Sequence, residues 1–117
     1  MKEKFILVHD GTDPKPEIIE LDTAHLLDGL YQAIGCHCIE IVHVQTGLLL
    51  PHGVVMLADE CGWFHGASRV NKFASAWYRD VIVGNVILAA EGYRNGEPDL
   101  VGLNDTQLKF LCAAFRI

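Results

Sequence analysis

Val81-Ile82-Val83-Gly84-Asn85-Val86-Ile87-Leu88-Ala89-Ala90 is apolar at odd and even positions alike, broken only by Gly84 and Asn85. Side chains of a strand point to opposite faces in turn, so a strand built from such a run has no face to leave in water. It must lie centrally in a sheet and be covered on both sides. The rest of the chain has to supply its neighbours and its cover.

Phe5-Ile6-Leu7-Val8-His9 reads as one neighbouring strand and Glu17-Ile18-Ile19-Glu20-Leu21 as another, joined across Asp10–Pro16 in a hairpin. Asp22 or Thr23 caps a helix whose apolar positions Leu26, Leu27, Leu30, Tyr31 and Ile34 fall at helical spacing, with Gly35 as its stop. Cys38–Val44 alternates as a strand, Gln45-Thr46-Gly47 turns, and residues 48–58 give one further strand or two short ones before the turn at Asp59-Glu60-Cys61-Gly62. A short helix is expected around 70–78, a connection over Glu91–Pro98, and a returning strand at Leu100–Leu103. Asn104, with Gln107 three residues on, forms a capping box for a last helix striped by Leu108, Leu111, Cys112 and Phe115. The expectation is a single α+β domain over 1–117, with a mixed or mainly antiparallel sheet of about five to seven strands and two or three helices packed on it.

At 117 residues, half of them apolar and about a fifth charged, the chain can bury roughly two-thirds of its unfolded surface without disulfides or a structural metal. Its formal charge is −6, and the nine bases are scattered along the chain. No basic face tracks a phosphate backbone, so direct nucleic-acid binding is disfavoured, whereas a single nucleotide needs only one or two cations plus stacking. The four apolar residues after Lys4 are too few for a signal-peptide core, and no run approaches the roughly 18 residues of a membrane span. A cytoplasmic location with no membrane partner is expected.

Cys36, Cys38, Cys61 and Cys112 are read as reduced thiols. Cys36, Cys38, Cys61 and His65 could be assembled into a tetrahedral zinc site on paper. Structural zinc sites usually bring two tight pairs, and Cys61-x-x-x-His65 is looser, so small buried or edge residues are the simpler reading. No metal and no cofactor are expected. No phosphate loop, serine elbow or paired-carboxylate motif is present in the sequence. No residue is therefore assigned a catalytic role, and His65 acting with Asp59 or Glu60 as a small hydrolase or transferase is kept as an alternative.

Chemistry concentrates in one connection. Trp63, His65, Arg69, Asn71, Trp77 and Arg79, with Tyr78 beside them, supply flat faces, an amide and two cations within a short span. That composition suits stacking a planar group and pairing a phosphate or carboxylate, and these six residues are the candidate ligand contacts. The structural alternative has Trp63, Trp77 and Tyr78 plugging the core and Asn71 tying down the loop backbone.

The order Glu60-Cys61-Gly62, Gly66, Asn71, Ala74, then Val81-Ile82-Val83-Gly84-Asn85, then Leu103-Asn104-Asp105 resembles the bacterial and phage family called domain of unknown function 3846. The resemblance takes in the N-terminal strands and helix and Ile39-Glu40-Ile41-Val42. The family typically has a proline shortly before the loop asparagine, where this chain has Ala67-Ser68-Arg69-Val70. The resemblance carries over no functional residue and implies a setting: an accessory protein of a phage or other mobile element in a bacterial cytoplasm. Together these readings give a small non-enzymatic binding protein that sequesters a nucleotide-like host signal as an anti-defence sponge, or alternatively inhibits a host protein. Open sheet edges add the expectation of a homodimer.

Overall fold

In the computed structural model the described residues are 1–10, 16–43, 50–61, 70–78 and 81–117, with Trp77 and Tyr78 described by backbone alone. The strands are β1 (Lys2–Val8), β2 (Glu17–Asp22), β3 (Ile39–Val42), β4 (Val54–Asp59), β5 (Val86–Arg94) and β6 (Glu97–Val101). The helices are α1 (Leu26–Ile34), α2 (Lys72–Tyr78) and α3 (Asp105–Phe115). All strands pair antiparallel in one sheet of order β2-β1-β5-β4-β3, with β6 also paired to β5.

Alternation divides the apolar residues of the central strands between two cores. Ile6 and Val8 of β1, Met56 and Ala58 of β4, and Val86, Leu88 and Ala90 of β5 face one way, where Leu111 of α3 and Ala74 of α2 cover them. Phe5 and Leu7, Val55 and Leu57, and Ile87 and Ala89 face the other way, under Leu30 and Ile34 of α1. Val86 through Ala89 are fully buried, so β5 is the doubly covered strand its composition demands. Gly35 ends α1 in the left-handed region at φ 81°, and its N–H closes onto the Tyr31 carbonyl at 2.8 Å.

β5 begins five residues later than the apolar run does, and it ends later too. Gly84, at φ +83°, sits in a conformation that interrupts a strand. Ile82 and Val83 are apolar because they enter the core from a connection: Ser75 Oγ accepts from the Ile82 N–H at 2.9 Å, and Val83 makes one isolated bridge to Val70. Glu91–Arg94, expected as connection, continue β5 and pair with β6, and the turn shrinks to Asn95-Gly96 at φ 50° and 80°. Two successive residues with positive φ make the tight hairpin turn that Asn-Gly favours. Residues 44–49, within the expected turn and strand after β3, lie outside the described residues.

One edge of β5 is shared. β1 pairs with Val86–Leu88, and β6 pairs with Ala90–Arg94. Where these two strands meet, Arg94 holds the Glu3 carboxylate with two bonds of 2.9 and 2.6 Å, and Glu3 also accepts the Gly102 N–H at 2.9 Å. A β-carbon at Gly102 would stand 2.6 Å from Glu3 Cβ and 2.9 Å from the Lys4 carbonyl, so only glycine permits this approach.

Candidate functional site

The register places the ends of β1 and β4, the start of β5 and the start of β3 at the same end of the sheet, because Val8 pairs with Val86, Leu57 with Ile87 and Ile39 with Asp59. The chain therefore leaves β1 and β4 and enters β5 at this loop end. Asn71 and Asn85 hold it together.

Asn71 is fully buried. Its Oδ1 accepts from the Ala74 N–H at 3.0 Å, capping the first turn of α2. Its Nδ2 donates to the carbonyls of Val8 and Gly84, both at 3.0 Å, and its backbone N–H donates to Ile82 at 2.8 Å. One side chain thus fastens the end of the long connection to α2, to β1 and to the approach of β5. Buried carbonyls left without donors would each cost on the order of 1–3 kcal/mol. Asn85 makes a similar tie, its Oδ1 accepting from the Asp10 N–H at 2.9 Å.

Among the candidate contacts, Asn71 is placed inside this anchor, with its amide turned to backbone. Trp77 is placed on α2 by its backbone. Trp63, His65, Arg69 and Arg79 lie outside the described residues. Asn85 was not singled out by the sequence, although a polar residue inside an apolar run was a signal for it.

Other groups at this end are His9, whose Nε2 lies 3.2 Å from Glu17 Oε1, and a thiol corner. All four cysteines are free. Partial burial, and next the Asp59 carboxylate, push the Cys36 thiol up; burial followed by Cys38, Glu60 and Asp59 does the same to Cys61. Raised thiols stay protonated near neutral pH and are weak nucleophiles and ligands. No group of three metal-ligating side chains is assembled among the described residues, and His65 lies outside them. Asp59 Oδ1 accepts from the Cys61 N–H at 2.9 Å, so one of its oxygens serves the turn. Among the described residues no helix is long and apolar enough to cross a membrane.

Residues 1–116 match the family model described as "Domain of unknown function (DUF3846)". The chain belongs to the DUF3846 family. No curated protein matches it. Among solved structures this DUF3846 domain is similar to the "Crystal structure of small RNA methyltransferase HEN1", with a TM-score of 0.62 at 14% identity. That match covers 97% of this chain and 16% of the other, so this chain spans about a sixth of that protein's length. At such identity the likeness is one of fold alone.

Proposed function

We propose that this DUF3846 domain is a small non-enzymatic binding protein that holds a nucleotide-like ligand at the loop end of its sheet. The observation that carries the reading is the Asn71 anchor, which roots the connection bearing Trp63, His65 and Arg69 on β1, α2 and the approach to β5. Asn71 fixes the end of that connection on the sheet, and a rigid base is what a recognition loop needs. An acidic chain with scattered bases suits a mononucleotide better than an RNA strand. In the mobile-element setting that the family resemblance implies, such a protein would sequester a host nucleotide signal.

The test is incubation with a panel of cyclic nucleotides and ADP-ribose derivatives, followed by native mass spectrometry, thermal shift and heat release of whatever is bound. A retained, intact ligand whose binding is weakened by Arg69→Ala or Trp63→Ala supports the proposal. No shift with any nucleotide removes it. Release of a converted product instead favours the hydrolase or transferase alternative, with His65 and Asp59 or Glu60 as the groups to mutate.

A further inference from the structure

The hairpin end of the sheet, opposite the loop end, carries a feature of a different kind. β5 and β6 are joined by Asn95-Gly96 alone, since Arg94 pairs with Glu97. Both turn residues are exposed, and their φ values are positive, 50° and 80°. A β-carbon built on Gly96 meets nothing within 4 Å, so the space beside it is open. Among the described residues nothing bonds the Asn95 amide or the peptide that links it to Gly96.

The other asparagines of the chain are Asn71, Asn85 and Asn104. Asn71 is fully buried with both amide atoms bonded, Asn85 Oδ1 is taken by the Asp10 N–H, and Asn104 Oδ1 caps α3. Each precedes a residue with a side chain, Lys72, Val86 or Asp105, which crowds the backbone nitrogen that follows the asparagine. Glycine leaves that nitrogen bare.

A bare nitrogen next to an asparagine can close a five-membered ring onto the side-chain carbonyl when the asparagine ψ is about −120°, the value of a type II′ turn. Types I′ and II′ share a positive φ at the first turn residue and differ by the orientation of the central peptide. Asn95 therefore reaches the reactive geometry by the flip of one unbonded peptide, with the Arg94–Glu97 pair left in place.

We infer that Asn95-Gly96 is a self-modification site whose co-reactants are hydroxide and water. Hydroxide takes the Gly96 N–H proton, the nitrogen bonds to Asn95 Cγ, and the Cγ–Nδ2 bond breaks, Nδ2 leaving as ammonia with a proton returned by water. A second water opens the resulting succinimide at one of its two carbonyls, which leaves aspartate or isoaspartate at position 95. Isoaspartate carries the former Cβ in the main chain and so lengthens a turn that has only two residues. That disturbs the Arg94–Glu97 pair and, through Arg94, the contact with Glu3. The site stands apart from the loop end and does not depend on a nucleotide binding there.

The test incubates the folded full chain at mildly alkaline pH in heavy-oxygen water and maps its peptides by mass spectrometry. The expected result is conversion at Asn95 alone, with one heavy oxygen gained, a rate proportional to hydroxide, and isoaspartate detected by methyl transfer from an isoaspartyl methyltransferase. Asn95→Gly, which leaves a glycine pair that suits the same turn, should lose the conversion and keep the fold. The converted fraction, separated by its added negative charge, should show amide shifts at Arg94–Glu97, Glu3 and Gly102. Conversion of Asn71, Asn85 or Asn104 as readily as Asn95, conversion confined to the chain unfolded in urea, or a converted fraction with unshifted Glu3 and Gly102 amides overturns the inference.

Discussion

At the loop end the chain is fastened by neutral amides, Asn71 and Asn85, whereas at the hairpin end it is fastened by the charged trio of Glu3, Arg94 and Asp99. Both arrangements satisfy backbone groups where strands diverge. They differ in what can undo them. An amide bonded to carbonyls is indifferent to acid and salt. The Glu3 carboxyl, held below the ordinary carboxylate range chiefly by the Arg94 hydrogen bonds, needs its charge. The Asn71 and Asn85 ties thus hold across pH, and the Glu3 contact does not.

Asn71→Ala should show the largest effect, a loss of about 3–5 kcal/mol in denaturant unfolding, since it orphans two carbonyls and an N–H in the core. Asn71→Asp sharpens the comparison, because a carboxylate facing two carbonyl oxygens has its folded pKa raised, so this variant should gain stability as pH falls. A variant that instead loses stability in acid would break the contrast between the ends. Gly102→Ala should cost about 2–4 kcal/mol by forcing β6 from β1.

Glu3→Gln should cost about 1–2 kcal/mol at neutral pH. Because the folded pKa of Glu3 is lowered, its contribution is complete above the unfolded carboxylate value and fades as pH falls through the folded one. Wild type and variant should therefore converge in acid, and a gap that persists there contradicts the charge-based account. Asn85→Ala, losing one part-buried bond, should cost about 1 kcal/mol with no pH dependence, read as a fall of a few degrees in Tm.

Much of this fold was legible because it follows from local pattern. The capping box at Asn104 and Gln107, the left-handed stop at Gly35 and the apolar stripe of α1 are each written within a few residues. The start of β5 was hidden because Ile82 and Val83 are buried without being strand, so burial and secondary structure separate there. The extension of β5 to Arg94 was hidden for the opposite reason, since beyond Ala90 the strand alternates between exposed and half-buried residues and reads as a charged connection. At the loop end, the sequence offered Asn71 both as a ligand contact and as a backbone tie, and the geometry shows the tie. Val8, which Asn71 ties to α2, lies far away in the chain, as do the partners of Glu3, and no spacing rule conveys such contacts.

The shared edge of β5 also bears on the order in which the chain can assemble. β1 finds β2 through a short hairpin, yet its other edge must wait for residues 86–88, and Glu3 finds Gly102 only 99 positions later. During synthesis the first hairpin would stand half-paired, its apolar residues exposed, until nearly the whole chain had left the ribosome. Closure of the sheet is then a late, long-range event of the sort that slows folding, and the Glu3–Arg94 contact is a reporter of its completion.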